Sequence, residues 1–256
     1  NNSKSVTASD IVELRKLILG VNDKLSNNAS WRFVDAAFKF DDIHNPWPFS
    51  ENLNYEVLET NMTTSDFIAI KLGDVNGSVA ENLSGKTQNR YADKINLNIN
   101  DITLPAGVLT NIPVAIGKSD AFVGMQWTFE LSPGLNYYGI EAEALNIKND
   151  QIAEVNRNGK RYITVAFDDL NGIQLQENAV MFDLIVRADK ASTISSLLTI
   201  SNDVTPALAY DMTMDEKQIQ LEYRSDYADE RTFVSQNHPN PFKDETVIKI
   251  NQKSSS

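Results

Sequence analysis

The chain is 256 residues long, with 41% hydrophobic residues and a formal charge of −12. That apolar content sustains one large core or two smaller ones, and the acidity works against nucleic acid and anionic lipid as partners. The lack of cysteine excludes disulfides, thiolate catalysis and thiolate-ligated metal sites.

No apolar run is long enough for a membrane span. Most of the negative excess falls in residues 87–222, so the acidic part is the middle of the chain. The opening NNSKS has no basic, apolar leader, and its abruptness leads to the expectation of further chain upstream.

Residues 6–20, VTASDIVELRKLILG, predict a short helix. Thr7 is the N-cap, with Asp10 three positions on in a capping-box arrangement. Ile11, Leu14, Leu17 and Ile18 form an apolar stripe at helical spacing. Arg15 and Lys16 suit the C-terminal end of the dipole, and Gly20 stops the helix. A related phrase returns at residues 62–73, MTTSDFIAIKLG, with Thr63 and Asp66 at the same spacing. It predicts a second helix packed on the first. The intervening residues 27–59 read as an irregular insert whose Trp31, Phe38, Phe40, Trp47 and Phe49 cover the helix pair.

Calcium is the cofactor these phrases admit. Oxygen ligands at alternate loop positions wrap the ion, and an acid at the twelfth position closes the site. With Asp10 as that twelfth residue, Asn1, Ser3 and Ser5 fall at the third, fifth and seventh. In GDVNGS, Asp74, Asn76 and Ser78 fall at the first, third and fifth, but the twelfth is Gly85. The alternative is that Asp10 and Asp66 only cap helices and that 74–77 is a plain turn. The two phrases resemble dockerin repeats, in the form found in surface proteins of Bacteroidetes-type bacteria. The resemblance implies calcium loops, each followed by a helix, and a cohesin partner or a structural role beside the next domain.

Residues 94–222 predict a sandwich. The stretch 122–131, FVGMQWTFEL, alternates, with Val123, Met125, Trp127 and Phe129 on the core side. Similar segments fall at 94–100, 109–116, 137–145, 151–155, 161–167, 179–187, 197–200, 207–210 and 218–222. Turn signals separate them: 104–107 (LPAG), Ser132-Pro133-Gly134, Asn158-Gly159 and Asn171-Gly172. The fold class is mainly β, a two-sheet antiparallel sandwich of about nine strands with a small N-terminal helical module. The LPAG turn, FVGMQWTFELSPGLNYYGI and AVMFDLIVRA resemble the pattern of cohesin-type or carbohydrate-binding-module-like sandwiches. Cohesins bind dockerins through a sheet face and are not enzymes.

Catalysis finds little support. Asp168-Asp169 and the pair Glu141/Glu143 are carboxylates without a paired-acid signature, and His44 and His238 lack metal-ligand spacing. Tyr137, Tyr138 and Tyr162 are candidates for a binding face, since tyrosine joins area to a hydroxyl.

Residues 223–232 read as a linker. Residues 233–256 then contain NHPNPF, with Asn237, Pro239, Asn240, Pro241 and Phe242, followed by an alternating strand at 246–250. This resembles the start of the C-terminal sorting domain of type IX secretion substrates. It implies engagement of that secretion machinery, and an extracellular or outer-surface location in a Gram-negative bacterium. The expected boundaries are 1–86, a duplicated dockerin-like module; 87–222, the sandwich; 223–232, the linker; and 233–256, the sorting segment. The expected function is non-catalytic interaction, scaffolding or adhesion, with a protein or neighbouring domains of the same polypeptide as partner. The alternative is a carbohydrate-binding accessory region of a larger extracellular hydrolase.

Overall fold

The computed structural model describes residues 7–42, 48–57, 61, 63, 65–74 and 94–225, and the backbone of 233–234 and 250–251. Ten strands of the middle region join in one hydrogen-bonded sheet. They are β3 (Lys94–Asn100), β5 (Leu109–Ile116), β6 (Asp120–Leu131), β7 (Leu135–Ala142), β8 (Ile152–Arg157), β9 (Lys160–Leu175), β10 (Val180–Ala188), β12 (Leu198–Ser201), β13 (Leu208–Asp211) and β14 (Glu216–Arg224). The order is β7-β10-β5-β3-β14-β13-β6-β9-β8, with β12 also on β6. Two-residue strands β4 (Thr103–Leu104) and β11 (Ser192–Thr193) pair with each other.

The sheet is folded on itself. Trp127 of β6 and Phe182 of β10 stack with ring centroids 5.4 Å apart and planes 12° apart. Five pairings separate their strands along the path, which in a flat sheet would put them roughly 24 Å apart. Only two facing layers bring them together. The core between the layers is drawn from residues 95–219 and includes Ile95, Leu97, Ile99, Trp127, Phe129, Phe182 and Leu184, each fully buried. All pairings between the strands of this body are antiparallel except β14 on β3, its last and first long strands. The sandwich expected from the strand pattern is therefore present, but as one curled sheet with a parallel seam.

Turn chemistry set the boundaries. Asn158 and Gly159 have φ of 52° and 75°, the left-handed pair that a tight hairpin requires between Arg157 and Lys160. One divider behaves differently. β9 does not end before Asn171-Gly172 but resumes and pairs Leu175 with Asp120. β6 advances from Phe122 to Gly124 while β9 runs from Ile173 to Asp168. Residues 169–172 therefore bulge out of the ladder, helped by Gly172 at φ +72°. The same slip turns β6: Phe122 enters the core and Val123, expected there, lies on the outer side.

The N-terminal part contains α1 (Ala8–Ile18) as expected, and no second helix at 62–73. The phrase forms β2 (Phe67–Lys71), antiparallel to β1 (Trp31–Asp35) inside the supposed insert. The FIAI run is too short and continuous for an amphipathic helix, and its isoleucines favour extended backbone. The Asp66 carbonyl accepts from Ala36 N–H at 2.9 Å, which commits the chain to the ribbon. A helix with a two-stranded ribbon thus replaces the expected helix pair. Phe38, Phe40 and Phe49 form an edge-to-face chain beside the ribbon, with centroids 5.1 and 6.2 Å apart. Trp47 lies outside the described residues.

Strands β15 (Phe233–Val234) and β16 (Ile250–Asn251) pair antiparallel. Of the strand expected at 246–250, only Ile250 is among the described residues. No helix among the described residues is long and apolar enough to cross a membrane.

Candidate docking face

α1 lies across the outer side of β6 and β9. Its start is set by Asp10, whose Oδ2 accepts from the Thr7 N–H at 2.7 Å and the Thr7 hydroxyl at 3.0 Å. These bonds, the backbone one first, hold the Asp10 carboxyl below its ordinary pKa. The helix closes at Gly20, with φ +71°, where a Cβ would meet Val204. The Val21 N–H returns to the Lys16 carbonyl at 2.9 Å, satisfying a helix-end acceptor.

Two hydroxyls of the sandwich receive this helix end. Thr164 Oγ1 donates to the Leu19 carbonyl at 2.7 Å, and Thr205 Oγ1 donates to the Ile18 carbonyl. Both threonines are buried. Thr128, opposite Thr164 in the ladder, donates to the Thr205 carbonyl at 2.9 Å and accepts from its N–H at 3.0 Å. The outward positions of β6 and β9 are thus polar, as alternation requires, but covered. Arg15 adds ion pairs to Asp150 and to Asp168, the latter at 3.3 Å, and Arg157 pairs with Asp23 beyond the helix.

Between α1 and the sheet a groove of about 520 Å³ remains. Ile11, Leu14 and Ile18 form one wall, and Val123, Gly124 and Ala166 contribute to the floor. Leu170, on the 169–172 bulge, is 97% exposed and stands at its mouth with Met214. Met214 has φ +67°, a conformation that costs a non-glycine residue about 1–2 kcal/mol. Met212 packs over Gly172, so the bulge and the 211–215 turn form one continuous rim. Exposed methionines beside an apolar cleft make an adaptable contact surface.

The three tyrosines expected on one binding face are dispersed. Tyr137 and Tyr138 point to opposite sides of β7. Tyr137 packs against the core, and burial, then the Glu154 carboxylate, pushes its pKa up to about 12. Tyr138 is exposed, with the Arg187 guanidinium 5.2 Å from its ring centroid. Tyr162 is buried and donates to Asp203 Oδ2 at 2.9 Å, so it offers no surface. In the sequence DDLNG reads only as a turn after an apolar strand, and nothing there showed that these residues bulge beside a groove.

Of the proposed calcium ligands, Asp10 and Asp74 are described, while Asn1, Ser3, Ser5, Asn76 and Ser78 lie outside the described residues. Asp10 serves as the capping-box partner of Thr7 at the start of α1, and Asp74 follows the end of β2. No group of three or more acidic or histidine side chains fit for a metal occurs among the described residues. The sorting residues Asn237, Pro239, Asn240, Pro241 and Phe242, and both histidines, also lie outside them. Asp168, weighed as an acid catalyst, is engaged by Arg15 and by Gln151 Nε2 at 3.0 Å.

No protein-family model matches the sequence, and no curated protein matches it. Among solved structures the chain is similar to cohesin domains. One is a non-cellulosomal cohesin from the archaeon Archaeoglobus fulgidus, at 16% identity over 50% of this chain and 86% of that one, TM-score 0.36. A cohesin from Clostridium thermocellum, solved as the Coh-OlpC–Doc435 complex, shows 14% identity over 52% and 91%, TM-score 0.40. The sixth cohesin of Acetivibrio cellulolyticus scaffoldin B, in complex with a Cel5 dockerin, shows 17% identity over 50% and 94%, TM-score 0.39.

Proposed function

We propose that this chain is a non-catalytic interaction module that receives a protein segment on the outer face of β6 and β9. The observation that carries the reading is the apolar groove beside α1, rimmed by the exposed Leu170, Met212 and Met214. A sandwich whose core is closed by its own two layers has no internal need for such a rim. Side chains of this kind contribute to binding when a partner removes them from water. The test is calorimetric titration of the full chain with amphipathic helical peptides and, in parallel, a glycan panel. Heat with the peptides, abolished by Leu170→Asp with Met214→Asp, supports the reading. Heat with a glycan and none with any peptide would move the function to the carbohydrate-binding alternative.

The wider setting belongs to the same proposal. The resemblance of NHPNPF to type IX sorting segments supports export to the outer cell surface, where scaffolding or adhesion is the role. Calcium bound through Asp74 and its neighbours would order the N-terminal part. Melting with and without a chelator tests this, and an identical transition in both removes calcium from the account.

A further inference from the structure

We propose that α1 is a ligand held in cis, occupying the docking face until a helix from a partner displaces it. This rests on the reading of the β6–β9 face as a docking surface, and concerns how that face is regulated.

The sandwich does not need α1. No residue of the helix is buried, and no residue of the helix belongs to the core cluster. The helix leaves half of its apolar stripe unused: Ile11 and Ile18 are 57% and 43% exposed. A helix that was part of the fold would lie flat on the sheet, but a groove remains beneath this one.

What holds α1 is a recognition pattern that any suitable helix could satisfy. Thr164 and Thr205 read two carbonyls at the helix end, which are backbone groups common to every helix. Asp150 and Asp168 read one arginine on the last turn. Gly20 allows the chain to leave past Val204. A partner would therefore be a helix with an aliphatic stripe, an arginine near its C-terminus and a glycine just beyond it. Apparent affinity for such a helix falls in proportion to the fraction of molecules whose face is free. The N-terminal half of α1, tied to the body by none of these links, is where displacement begins.

The experiment uses the full chain and a fluorescent, end-blocked peptide of residues 7–22, TASDIVELRKLILGVN, as the incoming helix. Anisotropy is measured with the unaltered chain and with a chain carrying Arg15→Ala and Gly20→Ala, whose own α1 is loosened. The proposal expects the altered chain to bind at least tenfold more tightly. It also expects the amides of 8–18 in the unaltered chain to lose protection from hydrogen exchange as the peptide saturates. Equal affinity with unchanged protection would overturn cis occupancy while leaving the docking face intact, because the peptide would then sit beside α1. No binding to either chain, with both melting cooperatively, would overturn the docking reading itself.

Discussion

The Thr164 hydroxyl and the Leu19 carbonyl, 145 positions apart in sequence, meet at 2.7 Å. Through this bond the middle of a sheet strand fixes the end of the N-terminal helix. Thr164→Val keeps the shape and removes the donor. It leaves the carbonyl of the buried Leu19 short of a partner, a loss of about 1–3 kcal/mol. The expected outcome is faster hydrogen exchange through 8–18, with exchange in the core strands unchanged.

Trp127 gives a second prediction. Its indole is fully buried, stacks on Phe182, and its Nε1 has no acceptor. Its contribution is therefore area and packing, without a hydrogen bond. Trp127→Ala is expected to cost about 3–5 kcal/mol in denaturant unfolding. Trp127→Phe is expected to cost less than half of that, since no bond is lost and the stack survives.

The acid limb of stability at the helix start depends on Asp10. Its folded pKa is lowered, chiefly by the Thr7 N–H, so its contribution is present above the unfolded value. It is lost as pH falls through the folded one, below about pH 4. Exchange measured over that range should show α1 amides opening as Asp10 is neutralised. Asp10→Asn should remove the pH dependence of that opening at the first turn.

The alkaline limb depends on phenols. Burial is the main cause that raises Tyr137, Tyr162 and Tyr223, with Asp203 also raising Tyr162 through its hydrogen bond. A raised acid stabilises the fold below its unfolded pKa, near 10, and that contribution disappears as pH climbs through the folded value. Tyrosinate absorbance should therefore show a set ionising only above about pH 10, together with loss of near-ultraviolet dichroism. Ionisation of all eight tyrosines in one step, with the fold intact, would contradict the assignment.

Much of the sandwich was legible because it rests on local signals. Alternation around Trp127 and left-handed residues at Asn158-Gly159 both act within a few positions, and the ten strand segments read from them are all present. Thr7, Asp10 and Gly20 were equally plain for α1. The phrase at 62–73 misled because its Thr and Asp imitate a cap. Its FIAIK core was decided instead by a partner strand at 31–35. The groove was illegible for a different reason. It depends on the bulge of 169–172, on the orientation of Met214, and on where a helix more than a hundred residues upstream comes to rest. Tyr162 shows the same limit: it was a candidate for a binding face, but it is buried and Asp203, far along the chain, takes its hydroxyl.

The most direct test of the docking face is a hydrogen-exchange footprint of the full chain with a saturating amphipathic helical peptide. The account predicts new protection at 166–170 and 210–214, and none along the outer side of β7 and β10. Protection confined to β7 and β10, or no change anywhere with binding shown by calorimetry, would contradict it.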